Sequence, residues 1–225
     1  MQAADKFRSE TIEHLEATLN GGQESPNAFV QLIMSLLSNT IMDSKSFVCL
    51  NQGSSKYDFT IAAPRRKVTS YKDAADGCEV YSSLKLNNGN FLDLHYVLFV
   101  DPDDNNYLKT ESSRMAYQSD DLGHDQFFRF EMARNPKTHY PFSHLHVRGN
   151  WKQGDKPRPK EMEKIHFPIA RPTLENLIRV LVYDFEVSTH HPAAVFEPIL
   201  RECEQRFLKV ARTTSKKPQP LPPIE

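Results

Sequence analysis

Glycine is scarce in this 225-residue chain, eight in all. There is no Gly-rich loop ending in Lys-Ser or Lys-Thr and no Gly-x-Gly-x-x-Gly, which sets aside the common nucleotide-cofactor folds. Cysteine is scarcer still. Cys49, Cys78 and Cys203 are far apart and odd in number, so they supply neither a disulfide framework nor a zinc-finger spacing, and a reducing cytoplasm is expected. Gly-x-Ser-x-Gly, His-Glu-x-x-His and Cys-x-x-Cys are also missing. An excess of one charge is lacking as well: 28 Lys and Arg face 29 Asp and Glu, so no whole-molecule field draws the chain to nucleic acid or an anionic membrane. No apolar run approaches the roughly 18 residues that span a bilayer. The first residues, MQAADKFRSETIEH, mix both charges and contain no apolar stretch of signal-peptide length. No membrane association is expected.

Aromatic side chains are plentiful, with 14 Phe and 8 Tyr beside a single Trp. Their apolar surface is what disordered chains lack, so the chain folds despite a mean hydropathy of −0.58. Its length suits one substantial core or at most two small ones.

Hydrophobic period divides the chain into three parts. Phe7, Ile12, Leu15 and Leu19 give residues 5–19 an amphipathic helical pattern that Asn20, Gly21 and Gly22 end. Ser25 followed by Pro26 reads as an N-cap and first turn for a second helix over 26–43, with Phe29, Leu32, Ile33, Leu36 and Leu37 as its stripe. From Ser46 the period shortens to strands at 46–51, 56–62, 78–86, 91–100, 107–116, 126–133, 142–149 and 165–170, separated by Asn, Asp, Gly and Ser turns. Breaks this short favour antiparallel hairpins. After Pro172 the helical period returns, first behind a Thr173 cap with Leu174, Leu177, Ile178, Leu181, Val182 and Phe185 on one side. It continues from about Pro192 to Arg212. The expectation is an α+β fold, an antiparallel β meander flanked by N-terminal and C-terminal helices. It forms a single α+β domain over 1–212 (helical 1–45, sheet 46–171, helices 172–212), and 213–225 form a flexible Pro-rich tail.

Strand alternation fixes which side chains share a face. In QFFRFEMA, Phe128, Phe130 and Met132 point one way, and Arg129 and Glu131 the other. In FSHLHVR, Leu145 and Val147 oppose His144, His146 and Arg148, and in the strand from Phe91, Asp93 and His95 lie opposite Leu92, Leu94 and Tyr96. Paired as one sheet, these strands gather Asp93, His95, Arg129, Glu131, His144, His146 and Arg148 on a single face. Such a face is also what an antiparallel sheet offers to water. Two chemistries fit it. One needs no cofactor: His144 and His146 act as acid and base on a phosphodiester, with Glu131 beside them and Arg129 or Arg148 on the phosphate. The other is a divalent metal at His144 and His146, completed by Asp93, His95 or Glu131. His124, His139 and His166 are expected at the surface, and His190 and His191 in the loop leading into the last helix.

Charge is partitioned along the chain. Between Asn90 and Asp125 eight acids outnumber Lys109 and Arg114, whereas Arg148 to Arg171 holds seven basic residues against Asp155, Glu161 and Glu163. That basic stretch carries Trp151, Lys152, Lys156 and Arg158, and with Arg148 it is the candidate surface for gripping a phosphate backbone or stacking a base. Pro64-Arg65-Arg66-Lys67 is a smaller basic cluster.

The run FFRFEMARNPKTHYPFSHLHVRGN, with IHFPIA and an amphipathic helix after it, resembles the TumE-type bacterial toxins and related domains. They share an Arg-bearing aromatic strand, a Pro-x-x-His-x-His strand and a closing helix. The resemblance covers residues 126–186, with Arg129, His144 and His146 at the matching positions, and this chain is longer and adds a helical N-terminal region. It implies a toxin-antitoxin or phage-defence setting. The expected function is therefore a toxin-like effector that acts on RNA or another phosphodiester. The alternative is a non-catalytic accessory subunit of a bacterial defence complex, with nucleic acid or a protein such as an antitoxin as partner.

Overall fold

The computed structural model describes residues 2–42, 48–51, 57–62, 83–103, 106–136, 141–148 and 165–211. Two helices come first, α1 (Gln2–Leu19) and α2 (Ser25–Thr40), followed by eight strands: β1 (Val48–Asn51), β2 (Tyr57–Ala62), β3 (Leu84–Lys85), β4 (Phe91–Asp101), β5 (Tyr107–Gln118), β6 (Gln126–Ala133), β7 (Ser143–Val147) and β8 (Phe167–Pro168). Helices α3 (Leu174–Tyr183) and α4 (Ala193–Ala211) close the order. The strands form one antiparallel sheet in the order β1-β2-β4-β5-β6-β7-β8, with the short β3 also paired to β4. The fold is α+β, as the periodicities predict.

The apolar face of the sheet and the helices share one core. Leu92, Leu94, Tyr96 and Leu98 of β4, Met115 and Tyr117 of β5 and Phe128 of β6 meet Phe7, Leu15, Ile33, Leu37, Leu177, Ile178, Phe196 and Leu200 from the four helices. Ion pairs tie the helices together at their edges: Arg179 of α3 reaches Glu197 and Glu204 of α4, and Arg206 of α4 reaches Glu16 of α1. Among the described residues no helix is long and apolar enough to cross a membrane.

Three local expectations need correction. The residue before α2 is Glu24, which makes no side-chain cap; Ser25 lies inside the helix with Pro26, its hydroxyl donating to Gly22 O at 2.7 Å. Helix α2 ends at Thr40, and α3 ends before Phe185, whose ring lies 4.9 Å from that of Tyr117. Gly21, which was expected to end α1, does more than stop it. Its φ is +74° and a Cβ there would lie 2.7 Å from Asn106 O, so a side chain would push the α1–α2 turn off the β4–β5 turn.

Asp120 closes the hairpin that leads into β6. One carboxylate oxygen accepts from the amides of Leu122 (2.8 Å) and His124 (3.2 Å), the other from that of Asp125 (2.6 Å). Burial acts to raise this carboxyl, but the three amides and His124 outweigh it and hold the pKa below its usual value. A depressed carboxyl stabilises the fold fully above its unfolded pKa, and the effect is lost as pH falls through the folded one. The Tm gap between wild type and Asp120→Ala should therefore be widest at neutral pH and narrow below about pH 4; a gap independent of pH would contradict the assignment. In the core, Leu94→Ala should cost about 2–5 kcal/mol in urea unfolding, whereas Leu122→Ala, at a position 48% exposed, should stay within about 0.5 kcal/mol.

Candidate functional site

Register assembles the polar face row by row. Thr60, His95, Arg114, Glu131 and His144 are successive Cα partners across β2, β4, β5, β6 and β7. Asp93, Ala116, Arg129 and His146 make the neighbouring row. The β6–β7 pairing thus sets Glu131 directly beside His144, and Arg129 beside His146.

The side chains converge on one carboxylate. Glu131 Oε2 lies 3.1 Å from His144 Nε2 and 3.2 Å from His146 Nε2, while Oε1 is 2.8 Å from Arg129 Nε. That last contact is a charge pair without hydrogen-bond angles, since Arg129 Nε counts as a buried donor lacking a directed acceptor; Arg129 Nη1 donates to Gln126 Oε1 at 3.3 Å. Burial acts to raise the Glu131 carboxyl, but Arg129 and the two imidazoles more than offset it, so the group sits below the usual glutamate range and is ionised at neutral pH.

A third imidazole joins the pair. His166, expected at the surface, lies immediately before β8. Because Leu145 pairs with Phe167 and His144 with Pro168, one further step in register brings His166 opposite His146. Its ring centroid is 4.3 Å from that of His146 and 4.6 Å from that of His144, at interplanar angles of 72° and 66°. The His144 and His146 rings are 4.9 Å apart at 74°. No two rings stack, and one ligand atom from each of the three lies within 4.8 Å of the other two. His144 and His146 are buried and His166 half-buried.

The donor chemistry suits a borderline-soft divalent cation. Imidazole and carboxylate at bond lengths near 2.0–2.2 Å place tetrahedral ligand atoms about 3.3 Å apart. The two Nε2–Oε2 separations already have that value, while nitrogens at the 4.8 Å limit need to close by about 1.5 Å, within reach of imidazole rotation. His144 Nδ1 is 3.1 Å from Pro141 O. Only the Nδ1–H tautomer donates there, which leaves Nε2 facing the carboxylate with either a second proton or a lone pair for a metal. Hydrogen-bonding the outer nitrogen to a carbonyl is how metal-ligating histidines are commonly held.

The other candidates divide in two. Asp93 is engaged by Arg114 at 2.8 Å; with His95 it sits on β4, three strands from β7 and so about 14 Å away, and neither completes the cluster. Arg148 follows β7 directly, its amide bonded to Phe127 O at 2.9 Å, two residues beyond His146. Trp151, Lys152, Lys156, Arg158, His139 and the cluster at 64–67 lie outside the described residues, as does the tail 213–225. His124 is exposed, as expected. His190 and His191 do precede α4; the His190 ring bonds Met42 O, and His191 stacks on Phe7.

Arg129 is the largest single influence lowering Glu131. With Arg129→Met, the Glu131 carboxyl, followed by its side-chain carbon NMR shift, should titrate at higher pH than in the wild type. An unchanged midpoint would assign the depression to the imidazoles instead.

No protein-family model, curated protein or solved structure matches the chain, so the arrangement described above rests on this molecule's own residues.

Proposed function

We propose that this protein hydrolyses RNA or a related phosphodiester at a metal centre held by His144, His146 and His166, with Glu131 and Arg129 beside it. The observation that carries the reading is the convergence of a third imidazole, His166, on the pair that shares Glu131 Oε2. Two imidazoles suffice for acid-base chemistry; three around one point, next to an ionised carboxylate, make a ligand set for zinc or a similar ion. Such an ion lowers the pKa of water toward neutrality. Glu131 Oε2 is then the group available to accept the proton or complete the ligand set, and Arg129 supplies positive charge for a developing phosphorane.

The phosphodiester half of the proposal draws on charge. In the sequence the basic residues from Lys152 to Lys164 fall between His146 and His166, two members of the cluster. The toxin-like or defence-effector role follows from the resemblance of residues 126–186. A reducing cytoplasm is the proposed setting, in keeping with the buried free thiol of Cys203.

A metal-free reading, with His144 and His146 exchanging protons near a phosphate, is favoured by the depressed Glu131 carboxyl, which stabilises an imidazolium neighbour. Cleavage of end-labelled RNA by the full chain separates the two. Under the metal-centre reading His146→Ala and His166→Ala each lose about 100-fold or more, EDTA abolishes activity and zinc restores it, while His124→Ala stays at wild-type rate. Activity that survives both EDTA and His166→Ala but not His146→Ala assigns the metal-free mechanism. An RNA left intact by well-folded wild type contradicts both and leaves the accessory-subunit reading. Reversing Lys152, Lys156 and Arg158 to Glu should raise KM and flatten the salt dependence of RNA binding without lowering kcat; an unchanged KM would remove that stretch from the substrate surface.

A further inference from the structure

The opposite face of the sheet holds a second feature that the His cluster does not use. Between α1, α2, α4 and the β4–β5 pair lies a cavity of about 60 Å³. Leu15, Leu19, Phe29, Leu32 and Ile33 form its apolar wall. At a water-equivalent of roughly 10–15 Å³ each, that volume holds a handful of non-hydrogen atoms.

One end of the cavity is polar, with one cation and one acid, Glu175, among the lining residues. Arg171 lines it together with Tyr96, Thr110, Ser113 and the first residues of α3. Among the described residues Arg171 has no carboxylate partner; its guanidinium lies 4.8 Å from the Phe207 ring. Burial, together with repulsion from Arg134, draws its pKa down to about 10, which still leaves a cation at neutral pH. A half-buried cation without a counter-ion is an unfavourable arrangement that an anion relieves.

Burial weakens the opposition of the nearby acid. Glu175 is buried, and burial pushes its carboxyl up toward the neutral form, with its own amide and Thr173 opposing. The Tyr96 phenol is raised by burial and by Glu175, so it remains a donor. Thr173 caps α3 by accepting from Asn176 N at 3.2 Å, and the α3 N-terminus adds a partial positive charge at the same end.

From this juxtaposition we infer that the cavity is a binding site for a short-chain monocarboxylate, its carboxylate on Arg171 and Tyr96 and its hydrocarbon tail between α1 and α2. The single cation and the apolar wall favour a singly charged carboxylate over a phosphate, which carries more charge than one guanidinium neutralises. The site is independent of the His cluster, on the other face of the sheet, although the stretch from His166 to Glu175 contributes to both.

Calorimetric titration of the full-length protein with propionate, butyrate, 1-butanol and butylamine tests it. Expected is saturable 1:1 binding of the carboxylates, at least tenfold tighter than the alcohol, with no binding of the amine. Arg171→Gln should weaken butyrate at least tenfold, and Arg171→Lys should retain part of the affinity. No saturable binding of either acid at concentrations up to about 10 mM, beyond the weak millimolar range, would overturn the inference. So would an alcohol that binds as tightly as the acid. Should Arg171→Gln fail to fold, the ligand series on wild type decides alone. Loss of metal binding in His166→Ala with butyrate binding intact separates the fate of this inference from that of the metal centre.

Discussion

The register between β6 and β7 is the constraint on which the rest of the molecule depends. Side chains alternate with a period of two, so slipping β7 by one residue against β6 would send His144 and His146 into the helix-covered core and Leu145 into water. Apolar burial on one face therefore specifies the polar constellation on the other. Phe128 and Met132, both buried, hold β6 in phase, and the Asp120 turn fixes where β6 begins. The same phase continues to β8, where two residues of pairing suffice to deliver His166.

Within that frame the Glu131 carboxylate is the electrostatic hub. It faces one guanidinium and two imidazoles, and each oxygen has its own set of neighbours. Two buried imidazoles with no acceptor between them would repel on protonation and compete for solvation; a shared carboxylate makes the arrangement tolerable without metal and compatible with metal. This is a costly set of groups to assemble merely for solubility, since an ordinary wet sheet face keeps its polar side chains in water. His144 and His146, by contrast, are 6% and 5% exposed.

Much of this was legible in the sequence, for physical reasons that can be named. Period-two alternation in QFFRFEMA and FSHLHVR places Arg129, Glu131, His144 and His146 on one face without knowledge of the pairing, and helical period finds α2, α3 and α4 within a few residues. Alternation does not give distance. It put Asp93 and His95 on the correct face, yet strand order leaves them too far from β7 to act with it. His166 went unrecognised because a long basic stretch separates it from His146 and its strand is only two residues long. The alternation of His166 with Phe167, read against Leu145, was the available signal. Ser25 shows the limit of cap rules: the Ser-Pro pair marks the start of α2, but its hydroxyl turns back to Gly22 O rather than to an amide of the helix. That Arg171 has no carboxylate partner among the described residues could not have been read from sequence at all, because ion pairing is a property of packing.

The central claim is that three imidazoles on one sheet face form a single metal centre. Zinc K-edge X-ray absorption of the zinc-loaded full-length protein tests it most directly. The account predicts a first shell with three nitrogen scatterers near 2.0–2.1 Å, imidazole outer-shell scattering, and the loss of one imidazole in His166→Ala. An ion surrounded only by oxygen, or a spectrum unchanged by that substitution, would contradict it.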